Sequence, residues 1–244
     1  MTELTIIIPA KNEAENIAAL VDEIHSVCEA RYDYEVIVID DGSTDATGQI
    51  LAERLQSDAR LRLLSNRQSG GQSAAVHSGV LAARGRICCT LDGDGQNPPP
   101  DIPKLVDALL ADPEAGLVAG QRVGRQDTWS KRYASKFANA LRARVLQDGT
   151  RDTGCGLKAF RRDAFLLMPF FNHMHRYLPA LFAREGLRVL LVDVSHRPRL
   201  GGQSNYNNFQ RAMVGIVDLC GVAWLLRRKK TARPTEILVK ETGL

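Results

Sequence analysis

Five short apolar runs, each followed by a polar loop and an amphipathic stretch, restrict the fold of this sequence more than any other feature. Leu4–Ile8, Glu35–Ile39, Leu61–Leu64, Arg86–Leu91 and Gly116–Gly120 are short, apolar and bounded by turn residues, the pattern of buried strands. Between them, Ile17, Leu20, Val21, Ile24 and Val27 fall on one helical face, and Ile50, Leu51 and Leu55 turn inward on a second helix. Gln72–Ala83 reads as a third helix after the Gly70-Gly71 turn, and Ile102–Leu110 as a fourth after the break at prolines 98–100. Strand–helix alternation with short connections predicts an α/β domain, a mostly parallel, doubly wound sheet with helices on both faces.

Hydrophobic residues make up 44% of the 244 and charged residues 25%, which supplies a core and excludes a disordered or fibrous chain. The net charge of +4 is small, so placement of the positive residues matters more than their sum, and nothing points to nucleic acid. They gather late, at Arg122, Lys131, Arg132, Lys136, Arg142 and Arg144, and again at Arg227-Arg228-Lys229-Lys230. Five cysteines without a CxxC pair fit a reducing compartment, and the N-terminus shows no signal peptide, so a cytoplasmic location is expected.

In open α/β sheets ligands bind beyond the carboxyl ends of the strands. Three strands here end in acidic loops: Pro9 to Glu13, Asp40-Asp41-Gly42-Ser43, and Asp92-Gly93-Asp94-Gly95-Gln96. Asp, Asn and Gly also make ordinary turns and caps. Three carboxylate-bearing loops on one edge, however, repel one another unless a cation or a donor-rich ligand is present. Asp92 and Asp94 are one residue apart and point the same way from an extended segment. With the Gln96 amide they form an oxygen set suited to Mg²⁺ or Mn²⁺, ions that keep waters and take phosphate oxygens. No GxGxxG follows the first strand, and no GxxxxGK[ST], HExxH or Cys/His cluster occurs, which argues against dinucleotide oxidoreductases, P-loop ATPases and zinc sites.

Six segments together carry a resemblance: Ile8-Pro9-Ala10-Lys11-Asn12-Glu13, Val38 to Asp45, Leu91 to Pro99, Gly120-Gln121-Arg122, Asp152 to Lys158, and Arg199 to Tyr206. In that order they resemble family 2 glycosyltransferases of the dolichyl-phosphate mannosyltransferase type. The resemblance implies a GT-A fold over residues 1–206, and sugar transfer from a UDP- or GDP-linked donor to a polyprenyl phosphate, metal-dependent and inverting. It places Pro9, Ala10, Glu13, Asp40 and Asp41 on the nucleoside, Asp92 near ribose and phosphates, and Asp94 and Gln96 on the metal. Arg122, Arg132 and Arg199 would surround the donor and acceptor phosphates, Asp152 would line the reaction centre, and Ser204 would serve the acceptor. Apart from the resemblance, His173, His175 and Arg176, ahead of Tyr177-Leu178-Pro179, are further candidates to attend the acceptor. Asn205 stands where many relatives carry a lysine, which shifts the expected phosphate contact toward Arg199. The alternatives are transfer to a saccharide hydroxyl and a non-catalytic nucleotide-sugar binding protein.

Residues 207–244 are expected to form a short C-terminal helix and a basic tail at the membrane surface. Met213–Leu226 is apolar but interrupted by Asp218, and falls short of the about 20 residues of a membrane span. Trp224 and the following basic run suit an amphipathic helix lying in the interface of the cytoplasmic face, a peripheral placement. A core or dimer-contact helix, and hence a homo-oligomer, is the other reading. Trp129, Tyr133, Phe137, Leu141 and Val145, spaced by four and interleaved with Lys131, Arg132, Lys136, Arg142 and Arg144, form a second such stripe, whose other reading is a helix packed on the sheet with a solvated basic face.

Overall fold

The structure is a computed structural model that describes residues 2–123, 142, 144–146, 148–197, 208–228 and 232. Its strands are β1 (Leu4–Ala10), β2 (Tyr34–Asp40), β3 (Leu61–Ser65), β4 (Ile87–Thr90), β5 (Ala115–Arg122), β6 (Lys158–Arg161) and β7 (Arg188–Val194). Its helices are α1 (Ile17–Cys28), α2 (Thr47–Arg54), α3 (Gln72–Ala82), α4 (Ile102–Ala111), α5 (Arg162–Leu166), α6 (Leu178–Arg184) and α7 (Asn208–Leu226). They form one seven-stranded sheet in the order β3-β2-β1-β4-β6-β5-β7. Every pairing is parallel except those of β6, which runs antiparallel to both β4 and β5.

Both faces of the sheet are covered, which is why β1 and β2 read as nearly unbroken apolar runs instead of alternating ones. Ile6, Ile8, Val36 and Val38 face α1, α2 and α4 in one core, with Leu20, Leu51 and Leu105. Ile7, Ile37 and Ile39 face the other, against Val76 and Val80 of α3, Phe165 of α5 and Phe182 of α6. Helix α3 lies flush on β1: a methyl group on Gly79 would sit 2.6 Å from Ile7 Cγ2. Leu55, expected to face inward, is exposed because α2 ends at Arg54.

Adjacent arginines at the start of α5 each cap a neighbouring helix. Arg161 donates to Leu109 O and Asp112 O at the end of α4, and Arg162 donates to Val80 O and Leu81 O at the end of α3. Both satisfy carbonyls that a helix C-terminus leaves without partners. Helix α7 joins the second core along one side. Val222 is buried there, Leu219, Leu225 and Leu226 pack against it, and Arg184 Nε donates to Leu225 O at 3.1 Å.

Candidate active site

The acidic loops meet at the carboxyl edge of β1, β2 and β4. Parallel pairing of β1 with β2 sets Ala10 beside Asp40, and Asp41 N–H donates to Ala10 O at 2.8 Å. Asn12 takes a left-handed turn, φ 56°, donates its N–H to Ser43 Oγ and accepts Thr44 N–H, locking the first loop to the second. Asp45 fastens the same junction: it accepts from Ala14 N–H and Thr47 N–H, and although burial opposes it, these bonds hold its carboxyl below the ordinary range. Gly93 brings the third loop in: a side chain there would lie 3.3 Å from Pro9 O and 3.4 Å from Glu13 Cγ. Pro9, Ala10, Glu13, Asp40, Asp92 and Asp94 therefore share one edge.

Asp40 and Asp41 have different surroundings. Asp40 Oδ1 accepts Ser43 N–H at 2.9 Å. Asp41, only 4% exposed, accepts four hydrogen bonds, from Asn66 Nδ2, Ser69 Oγ, Gly70 N–H and Gly71 N–H, all at 2.7–2.8 Å. These outweigh its burial and hold its carboxyl below the ordinary range. Four donors fill the lone-pair sites of a carboxylate, so Asp41 organises the loop leading into α3.

Asp92 is half-buried and crowded. Gln72 Nε2, at the first residue of α3, donates to its Oδ1 at 2.7 Å, and Asn97 Nδ2 lies 3.4 Å from Oδ2. Burial and the Asp94 charge push its carboxyl up to about 6, against the pull of Lys158 and Arg122. Gly156 packs against it: a Cβ there would overlap Asp92 Oδ2, so any side chain must push the carboxylate aside. Asp94 Oδ1 accepts Gln96 N–H at 3.1 Å, and Gln96 O accepts Arg197 N–H at 2.9 Å.

The described residues contain no group of three or more His, Cys, Asp or Glu that could enclose a metal ion by itself. Two carboxylates one residue apart, Asp92 raised first by its burial and then by the Asp94 charge, supply part of the oxygen set of a cation that completes its shell with phosphate and water. The residues present thus fit Mg²⁺ or Mn²⁺.

Facing this edge, the end of β5 presents Arg122 to Asp152. Nε and Nη2 donate to the two carboxylate oxygens at 2.6 and 3.0 Å, a bidentate pair. Burial opposes both charges, yet the pairing outweighs it, lowering the Asp152 pKa and raising that of Arg122. Gln121 Oε1 accepts the N–H groups of Arg151 and Asp152 and so fixes the loop.

Several contributors carry no motif signal strong enough to have been assigned a role from sequence. Gln72 read only as a helix start. Lys158 closes a motif but lies on β6, 3% exposed, with its ammonium donating to Cys155 O; burial lowers its pKa. Arg176 lies in a tight turn, Met174–Arg176, which the Ser73–His175 contact ties to α3. Arg132, Arg199 and Ser204 lie outside the described residues, as do Trp129, Tyr133, Phe137 and Leu141. Of the second basic stripe, Arg142 is described and departs from expectation: it is buried, paired with Asp148 and donating to Thr150 O.

Solved structures share this architecture. Glucosyl-3-phosphoglycerate synthase from Mycobacterium tuberculosis, in complex with Mn²⁺, UDP and glucosyl-3-phosphoglycerate, superposes with a TM-score of 0.70 at 22% identity, covering 90% of this chain and 80% of that one. The same enzyme with Mg²⁺ and UDP gives 0.70 at 23%, with the same coverage. At these identities the likeness establishes the GT-A fold. A relative from Rhizobium johnstonii, dodecaprenyl-phosphate galacturonate synthase, is 34% identical over 238 residues, 95% of this chain and 69% of the relative. The profile described as glycosyl transferase family 2 matches residues 5–167. With its fold, its acidic edge and two-thirds of its length matched, this chain belongs to glycosyl transferase family 2 and is a glycosyltransferase.

Proposed function

We propose that the chain transfers a sugar, with inversion, from a nucleotide diphosphate sugar to a polyprenyl phosphate at a membrane surface. The observation that carries this reading is the opposition of the crowded Asp92–Asp94 pair to the Arg122–Asp152 pair across the end of β4 and β5. One side suits a metal-bound diphosphate and the other an anionic acceptor. The 34% identical relative, whose name specifies a polyprenyl phosphate and galacturonate, supports the acceptor class and makes UDP-galacturonic acid the first donor to test.

In this reading Pro9, Ala10, Glu13 and Asp40 hold the nucleoside while Asp41 holds the loop beneath it. Asp94 and Gln96 hold Mg²⁺ or Mn²⁺, which when bound neutralises charge on the leaving diphosphate. Asp92 orients ribose and phosphates. Arg122, Arg132, Arg176, Arg199 and Ser204 serve the phosphates, with Asp152 fixing Arg122. Residues 1–206 form the catalytic domain and 207–244 the membrane-surface element.

Helix α7 supports the location. Val217 and Trp224 are exposed on the side away from Val222; Val217 is 68% and Trp224 60% exposed. Arg228 stacks over the Trp224 ring at 5.5 Å. An apolar stripe ended by cations suits the cytoplasmic interface of anionic lipid. Among the described residues no helix is long and apolar enough to cross a membrane.

Transfer to a saccharide hydroxyl would call for a general base, and Asp152 is bound to Arg122 instead. The test is a screen of UDP- and GDP-sugars with farnesyl phosphate, in Mn²⁺ and in chelator, with products read by mass spectrometry. Metal-dependent formation of a prenyl-phosphate sugar is expected. Transfer only to saccharides, or none from any donor, overturns the reading.

A further inference from the structure

Ser73 and His175, 102 residues apart, are joined twice. Ser73 Oγ lies 2.7 Å from His175 Nδ1 and also accepts the His175 backbone N–H at 3.3 Å. A hydroxyl can accept this N–H and still share a hydrogen bond with Nδ1, so one serine side chain holds both the ring and the backbone of His175. Burial, with the charges of Lys158 and Arg176 nearby, keeps the ring neutral. The pair therefore holds its geometry without a proton exchange.

Each partner stands next to something that matters. Ser73 follows Gln72, whose amide donates to Asp92 Oδ1 at 2.7 Å. His175 sits in the turn that begins at His173, a left-handed residue with φ 66° whose Nδ1 is 2.8 Å from Asp218 Oδ2 on α7. Tyr177 OH donates to Gly215 O of the same helix at 3.5 Å. A continuous path of hydrogen bonds and short backbone links thus runs from α7 through His173, His175, Ser73 and Gln72 to Asp92. Gly79 packs flush on Ile7, where a methyl group would sit 2.6 Å from Cγ2, so the body of α3 is held close to the sheet while its first residues carry the link.

We propose that the Ser73–His175 pair is a positioning link that couples the seating of α7 to the Asp92 carboxylate. It rests on the reading of Asp92 as part of the donor site and of α7 as the lipid-facing helix. Occupancy of the donor site steadies the turn and α7, and by reciprocity a lipid surface under α7 favours the donor-ready arrangement. The link touches no reacting atom; it acts through Gln72 on one side and the Met174–Arg176 turn on the other.

Hydrogen exchange on the full chain tests this, with UDP and Mn²⁺ as the probe. In the parent, UDP–Mn²⁺ should slow exchange at residues 72–76 and also at 174–178 and 214–219. Ser73→Ala should bind UDP–Mn²⁺ within about threefold of the parent by calorimetry. It should nevertheless lose the protection at 174–178 and 214–219. Vesicles of phosphatidylglycerol should stimulate transfer to farnesyl phosphate by about fivefold or more in the parent and hardly at all in Ser73→Ala. His175→Asn keeps a hydrogen-bonding group near the place of Nδ1 and should preserve coupling, whereas His175→Leu should abolish it. Protection that stops at residue 76 in the parent, or that survives Ser73→Ala or His175→Leu, overturns the link. Equal loss in the Asn and Leu variants would move the role to Nε2 and also overturns it. A flat UDP–Mn²⁺ isotherm in the parent sinks the donor-site reading itself, an outcome distinct from binding without transmission.

Discussion

Asp92→Asn should make the metal-free protein more stable while destroying its activity, and the size of the gain should depend on pH. Burial and the Asp94 charge move the Asp92 carboxyl from an ordinary 3.8 to about 6. A rise of roughly 2 units corresponds to about 3 kcal/mol of unfavourable free energy in the ionised folded state. The cost is absent below about pH 4, where the carboxyl is protonated folded and unfolded alike. It grows as pH rises between about 4 and 6, where only the unfolded chain loses the proton, and is complete above about pH 6.

Asparagine removes the charge but presents one acceptor where aspartate presents two. Gln72 Nε2 at 2.7 Å and Asn97 Nδ2 at 3.4 Å cannot both be satisfied without turning one amide, a loss of about 1 kcal/mol. The expected net effect is a gain of about 2 kcal/mol at pH 8 and little change near pH 4, where the protonated carboxyl, like the amide, presents a single carbonyl acceptor. Urea unfolding in chelator, with the midpoint followed at several pH values and the slope checked for constancy, measures this directly. Adding Mn²⁺ and UDP should stabilise the parent more than the variant, because the ligands recover the cost only where the charge exists. An equal stability change at pH 4 and pH 8, or a variant less stable than the parent at pH 8, would refute the claim that charge crowding strains this site.

Asp94→Asn, or chelation of the parent, should lower turnover by about a hundredfold or more while circular dichroism stays unchanged, since the carboxylate holds the cation; metal-independent turnover would refute it. Gly156→Ala should cost about 1–3 kcal/mol in thermal or urea unfolding and nearly all activity, because its methyl group must displace Asp92; a neutral result would show that the 154–156 turn yields easily. Val217→Glu with Trp224→Glu should release the protein from phosphatidylglycerol liposomes in flotation without loss of thermal stability, both side chains being exposed. That double substitution is cleaner than truncation after Asn208, which would also remove buried Val222.

Much of the fold was legible because β1 to β5 are bounded by turns and filled with apolar residues, and because three of them end in acidic loops. What the spacing could not show was β6. It has four residues with Lys158 and Arg161 at its ends, and its antiparallel insertion between β4 and β5 depends on a lysine being buried. Strand β7 pairs at the sheet edge with a mixed exposure pattern, which gives it neither an unbroken apolar run nor a clean alternation. The acidic residues of the candidate site were readable individually, but their division of labour was not. Asp40 and Asp41 are neighbours in sequence, and only the loop at 66–71 folding over Asp41 separates their surroundings. Likewise Arg142 belongs to a basic stripe in sequence and to a buried ion pair with Asp148 in space. Ser73 and His175 belong to no common motif, and a contact across 102 residues leaves no local periodicity to detect.

The state of Asp152 bears most directly on how the reaction is driven. A general base works best with a pKa near the working pH. Asp152 is tuned the other way: Arg122 binds both its oxygens, Gly154 N–H donates to Oδ1 at 3.0 Å, and together they outweigh burial to hold the carboxyl below the ordinary range. A sugar hydroxyl acceptor would be poorly served by such a group. A phosphate monoester, with a second pKa near 6, is already largely dianionic at about pH 7 and needs orientation and charge screening instead. Asp152→Asn should therefore act by releasing Arg122 from its bidentate seat, lowering kcat/KM for farnesyl phosphate by about 10- to 100-fold. The acid limb of the pH profile should stay with the acceptor in parent and variant alike. Replacing farnesyl phosphate with its phosphonate, a weaker acid, should move that limb to higher pH in both proteins. The product should show inversion at the anomeric carbon, as a single displacement requires. A limb that disappears in Asp152→Asn, restoration of activity by added formate, or a sugar trapped on the protein would show that Asp152 takes a proton or a glycosyl group after all.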